Sequence, residues 1–183
     1  MSVFFNEFHY DNASTDTGEA IELAGTAGTD LTGWKIYLYN GGSTATAAAN
    51  ATVYATYSLS GVLTDQSNGF GFYTLNLPQD GLQNGTPDGF ALVDNSGHVV
   101  QFLSYEGVLT GAAGTIAAGI TSTDIGVSEN GSGPTGQSLH LEGTGTQYSD
   151  FHWAPDAPSS FGAANSGQTF GIAPPATTHS LPT

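Results

Sequence analysis

A chain of 183 residues fits one domain and is long enough to bury a core without disulfides or metals. Its 16 acidic residues face a single base, Lys35, for a net charge of −15, which excludes long-range attraction to nucleic acid or anionic lipid. It has no Cys, so disulfides, thiolate zinc sites and a Cys nucleophile are excluded, and no apolar run reaches the length of a membrane span.

Charged residues make up only 9% of the chain, against about 25% in an average domain, and Gly, Thr, Ser, Asn and Gln fill the polar remainder. These residues favour turns and strand surfaces over helices. Aromatic residues, at 11%, argue against disorder.

The first predicted strand covers 3–10, with Phe4, Glu7 and His9 interleaved among apolar residues. A second covers 20–23. A third, 34–39, places Trp34, Ile36 and Leu38 on one face and Lys35, Tyr37 and Tyr39 on the other. Residues 45–51 form an Ala/Thr run expected to be a loop or a short helical turn. Strands follow at 53–59 and 70–75. Residues 90–93 and 99–105 flank Asp94-Asn95-Ser96-Gly97, the clearest hairpin signal in the chain. The Gly/Ala-rich stretch 107–119 reads as a long connection. Late strands are expected at 139–141 and 151–153.

Eight to ten short strands at this spacing predict an all-β sandwich over residues 1–170. Residues 171–183 are Pro/Thr-rich and read as a linker or tail. No signal peptide is legible, because Met1 leads almost directly into Val3-Phe4-Phe5; the expectation is a removed signal or another export route.

The best candidate for chemistry is the stretch joining the first two strands. Glu7, Asp11, Asp16 and Glu19 crowd there, with Gly18 permitting a tight turn. A loop of alternating oxygen side chains can wrap a hard cation, so these four are the candidate Ca²⁺ ligands. The plainer alternative is an Asx-rich turn in which the carboxylates cap backbone N–H groups. Asp88, Asp94, Asp124 and Glu129 read as turn residues, with a second ion site at either pair as the alternative. His9 reads as a strand-surface or hydrogen-bonded residue. Trp34 and Trp153 read as core aromatics. Tyr37, Tyr39, Tyr54, Tyr57, Phe72 and Tyr73 are read as sheet packing or, alternatively, as an aromatic surface for glycans.

Catalysis has little to stand on. Phosphoryl transfer usually needs a basic group, and only Lys35 is present. His9, His98, His140, His152 and His179 lack the paired spacing of a zinc helix, and no nucleophile-elbow pattern occurs.

Several phrases together resemble one family. They are Asn6-Glu7-Phe8-His9-Tyr10-Asp11-Asn12 with Asp16-Thr17-Gly18-Glu19 and Ile21-Glu22-Leu23, then Asp30-Leu31-Thr32-Gly33-Trp34. The series continues with Gly85-Thr86-Pro87-Asp88-Gly89-Phe90, Ser138-Leu139-His140-Leu141 and Phe161-Gly162-Ala163-Ala164-Asn165. In this order they resemble bacterial lamin tail domains from about Val3 to about Phe170. The resemblance implies an immunoglobulin-like β-sandwich and an extracellular or cell-surface location. It implies no catalytic residues. The expected role is a non-catalytic structural or binding module for adhesion, matrix or surface assembly, assisted by calcium. Expected partners are a second copy through edge-strand pairing, or a glycan or protein surface, with no nucleic acid and no membrane insertion. The alternatives are an accessory domain of a secreted nuclease or phosphatase, and a carbohydrate-binding module.

Overall fold

The structure is a computed structural model that describes residues 2–172. Residues 173–183, most of the expected tail, lie outside the described residues. Eleven strands and one short helix follow in order: β1 (Val3–His9), β2 (Ala20–Thr26), β3 (Lys35–Asn40), α1 (Ala45–Ala48), β4 (Thr52–Ser58), β5 (Phe70–Asn76), β6 (Asp88–Val93), β7 (Val99–Tyr105), β8 (Thr123–Asp124), β9 (Gln137–Gly145), β10 (Phe151–Pro158) and β11 (Gln168–Phe170). A 3-10 turn, Tyr148–Asp150, precedes β10.

The strands form two packed sheets, an all-β sandwich. The first runs β10-β9-β1-β2-β5, with β11 pairing β9 in parallel; the second runs β4-β3-β6-β7-β8. Between them lies one apolar core. The Phe8 ring sits 4.9 Å from Phe90 and 5.3 Å from Trp153, so a first-sheet strand meets the central strand of the second sheet there. Ile36 and Leu38 are buried in this core, and Trp34 packs half-buried against it.

Turn chemistry sets the strand ends. Asp94 Oδ1 accepts the N–H of Ser96 and of His98, both at 2.9 Å, and Gly97 takes φ +84°, closing the β6–β7 hairpin. Before β3, Asp30 Oδ1 accepts the Thr32 N–H at 2.8 Å and Gly33 adopts φ +87°. Thr44 Oγ1 caps α1 by accepting the Ala47 N–H at 3.1 Å, so the Ala/Thr run makes a single helical turn.

Both sheets carry further cover on their outer faces. On the second sheet, Tyr39, Phe102 and Ala91 pack with Ala48 from α1 and with Leu109 and Ala117 from the long connection, making a second apolar cluster. That explains why Tyr39 is buried although it alternates away from Leu38. On the first sheet the cover is polar. Every residue of β1 and β2 is buried, which alternation alone does not predict.

Strand lengths differ from the sequence expectation at the late end. β9 and β10 run well beyond 139–141 and 151–153. Gly143, Thr144 and Gly145 offer no apolar pattern, and Pro155 and Pro158 look like stops, but β10 is an edge strand, where proline is tolerated. β8 and β11 are too short to announce themselves.

Close approach fixes one glycine. A side chain at Gly71 would run into the Thr64 carbonyl, because the 62–69 loop folds over β5. Gly71→Ala is therefore expected to cost about 1–3 kcal/mol through overpacking, read as a lower urea midpoint at constant m value.

Candidate functional site

The titratable side chains gather in two buried assemblies on the outer face of the first sheet, and both start from β1. A bulge between Phe5 and Glu7 shifts the register, so that Glu7 lies directly opposite Glu22 of β2 while Phe8 keeps its place in the core. Neither glutamate is exposed.

In the first assembly, Glu7 Oε1 accepts from Ser138 Oγ at 2.6 Å and from the Ser160 N–H at 2.7 Å, and Oε2 accepts from Ser160 Oγ at 3.1 Å. Glu22 accepts from Asn6 Nδ2 at 3.0 Å, from Thr74 Oγ1 at 2.9 Å and from the Gly162 N–H. Asn165, also buried, donates to the carbonyls of Asn6 and Leu141. Together these bonds tie the 159–168 segment down as a strap over β1, β2 and β9. Burial, reinforced by the neighbouring Glu7 charge and opposed by the donated bonds, pushes the Glu22 carboxyl up to about 7.

The second assembly centres on Glu129, in the loop before β9. Its Oε1 meets His9 Nδ1 at 2.7 Å, and its Oε2 accepts the N–H of Tyr10 at 2.5 Å and of Asp11 at 2.7 Å. The Tyr10 hydroxyl accepts the Glu129 N–H and donates to Glu106 Oε1 at 2.8 Å. Burial opposes charge on His9, but the hydrogen bond and charge of Glu129 outweigh it, so its pKa is raised. Burial also pushes Glu129 up, against the pull of its three N–H donors.

Asn12 completes this cage. Its Nδ2 lies 2.8 Å from His9 Nε2 and donates to the Thr17 carbonyl at 3.0 Å, while its Oδ1 has no partner among the described residues. A neutral His9 would accept this bond at Nε2. Rotating the amide would match Oδ1 to a protonated Nε2 at the expense of the Thr17 bond, since Oδ1 would then face that carbonyl oxygen.

The four residues predicted to bind calcium fall in different places. Glu7 belongs to the strap assembly. Both oxygens of Glu19 are occupied by the N–H groups of Gly81 and Leu82. Asp16 accepts the Asn12 N–H at 3.0 Å and Asn84 Nδ2 at 2.7 Å. Asp11 lies near enough to Asp16 that, after burial, the Asp16 charge is the largest influence raising its carboxyl. The structure thus brings Asp11 and Asp16 together, sets Glu19 within electrostatic reach, and takes Glu7 to the strap. Among the described residues no set of three or more His, Asp or Glu side chains is arranged to hold a metal ion.

Asp94 and Asp124 accept backbone N–H groups from their own turns, whereas buried Asp88, the first residue of β6, joins the local Gly85 N–H to the distant Gly41 N–H. Glu129 does far more than a turn residue, and Glu22, Ser160 and Asn165 were not singled out by their sequence pattern. Tyr39 is buried, and Tyr37, Tyr54, Tyr57, Phe72 and Tyr73 pack half-buried against the cores. Comparison with known proteins finds no matching family, no matching curated protein and no matching solved structure.

Chemically, both assemblies face inward. Their carboxylates hold loops by accepting N–H and O–H groups, and the oxygens are covered by the segments they hold.

Proposed function

We propose that this chain is a non-catalytic, extracellular module of the lamin-tail type, which acts by assembling with copies of itself. The observation that carries this reading is the open sheet edge at β4 and, beyond Phe72, where the 62–69 loop no longer bonds to it, at the Thr74–Asn76 end of β5. β4 ends the second sheet and β5 ends the first, each seven residues long with no charged residue and no proline. Natural edge strands usually carry such residues to block pairing. β5 keeps an unbroken register with β2, and β4 is regular on the Ala55–Ser58 side of a bulge at Tyr54. The inward-facing carboxylates support the non-catalytic part of the reading. Calcium enters as a counter-charge at Asp11 and Asp16 that reduces repulsion between copies.

The test is sedimentation velocity on the full chain over a concentration series, with and without calcium. Association is expected, and calcium should strengthen it. Thr56→Lys combined with Asn76→Lys, both at exposed edge positions, should restore the monomer. Added lysines lower the net negative charge, so on electrostatics alone they would promote association; a loss isolates the blocked edges. A chain that stays monomeric throughout, with or without calcium, overturns the reading.

A further inference from the structure

We infer that the outer edge of β7 is a docking groove for an extended peptide with an uncharged, β-branched centre and basic flanks. β8 pairs with β7 only at Leu103↔Thr123 and Ser104↔Asp124. Residues 99–102 therefore have β6 on one side and, among the described residues, no strand on the other. The Ser104 carbonyl accepts the Ile125 N–H at 2.9 Å on this outer side. Two residues earlier, by the alternation of a strand, Phe102 turns the same way: the parallel pairing at Leu103↔Thr123 takes its C=O, while its N–H has no backbone partner on this side among the described residues. An unused main-chain donor just before the point where a sheet edge is covered is a group that strand addition can take.

Two adjoining grooves flank this edge, of about 310 and 340 Å³, and both are lined by Val100, Gln101 and Tyr148. The β6–β7 register places the extra residue of a bulge at Val100, which is 43% exposed, and Ile120 across the groove is 42% exposed. Gln101 lies between the grooves. Its Oε1 accepts the Phe5 N–H at 2.9 Å, while its Nε2 is a donor with no acceptor among the described residues.

Charge selects the occupant. No residue lining either groove is charged, in a chain with 16 acids. Yet exposed Asp124 directly follows Thr123 of one groove, and exposed Asp150 directly follows Ser149 of the other. A neutral floor with a carboxylate rim fits a peptide whose middle is apolar and whose ends are basic. The Asp124 and Asp150 rim, which neither self-assembly edge carries, repels an acidic second copy at this place. This groove is separate from the β4 and β5 edges, so it does not depend on self-assembly.

The probe is a labelled peptide of alternating valine and threonine flanked by lysine pairs, titrated into the full chain by fluorescence anisotropy and amide NMR. The expected result is saturable binding, with the largest shifts and slowed exchange at the Phe102 amide. Val100→Asp and Ile120→Asp should each weaken binding about tenfold without moving the melting temperature. Glutamate flanks on the peptide should do the same, whereas Thr56→Lys with Asn76→Lys should leave binding intact. Absence of saturable binding overturns the proposal. So does binding that survives both aspartate variants, which would be attraction to the acidic surface at large. Self-association abolished by Val100→Asp would place a second copy in the groove and overturn the peptide assignment.

Discussion

Glu129→Ala is expected to destabilise the fold by about 3–5 kcal/mol, the range for removing one partner of a buried charge pair. The substitution strands three donors at once: His9 Nδ1 and the N–H groups of Tyr10 and Asp11. His9 is 2% exposed, so water cannot replace the lost acceptor without opening the loop. For a chain of this size the loss corresponds to a fall in melting temperature of about 10 °C. Glu129→Gln keeps an acceptor and the side-chain shape, and should lose less than half as much. The 127–133 loop should also become the first site of cleavage in limited proteolysis, since the hydrogen bonds left to tie it to the 10–13 segment are the Ala13 N–H to Gly133 carbonyl bond and the Glu129 N–H to Tyr10 hydroxyl bond. An alanine variant within 1 kcal/mol of the parent, by urea unfolding, would show that Glu129 does not anchor the loop.

The contrast between what the sequence makes legible and what it hides follows contact range. The hairpin around Asp94-Asn95-Ser96-Gly97 and the turn before Trp34 are local, made by side chains bonding two to four residues on, and both are legible. The sandwich class follows from the same local signals. The covered outer face of the first sheet is not local: His9 meets Glu129, and Glu7 meets Ser160, across more than a hundred residues. Alternation in 3–10 correctly separates Phe8 and Tyr10 from Glu7 and His9, but it cannot say that the polar face is buried. One signal was present. A solvent-facing strand normally carries Thr, Ser or Lys, whereas β1 carries Asn6, Glu7 and His9, which have directional hydrogen-bonding capacity suited to a covered face. The crowding of Glu7, Asp11, Asp16 and Glu19 in sequence suggested convergence on one ion. A strand directs alternate residues apart, and backbone donors at Gly81 and Leu82 compete for Glu19, so nearness in sequence did not become one shared shell.

The strap predicts a fold that is more stable in mild acid than in mild base. Glu22 titrates near 4.5 when unconstrained and at about 7 in the folded chain, so between those values the folded state holds a proton that the unfolded state releases. Stability from this group is fully present below the unfolded value and is lost as pH rises through about 7. The difference corresponds to about 3 kcal/mol when complete. His9, whose pKa is also raised, acts with the same sign, because its bound proton favours the folded state until pH passes the folded value. Asp11, Glu19, Asp88, Glu129 and Asp156 are raised by burial and add in the same direction. Asp30, Asp94 and Asp150 are lowered by their turn donors and act oppositely, but only at pH values near and below the ordinary carboxylate range. The melting temperature should therefore fall by several degrees from about pH 5 to about pH 8. Glu22→Ala separates this group from the others. It leaves Asn6, Thr74 and the Gly162 N–H without their acceptor, so it should lower stability at pH 5 by about 2–3 kcal/mol. It should also flatten the slope towards pH 8, because the titrating carboxyl opposite Glu7 is gone. A parent chain whose melting temperature is flat or rising over this range, or a variant with an unchanged slope, would show that the carboxyl under the strap is ionised at its ordinary pKa. The strap would then be held by a solvated carboxylate, and its burial against Glu7 would carry no penalty.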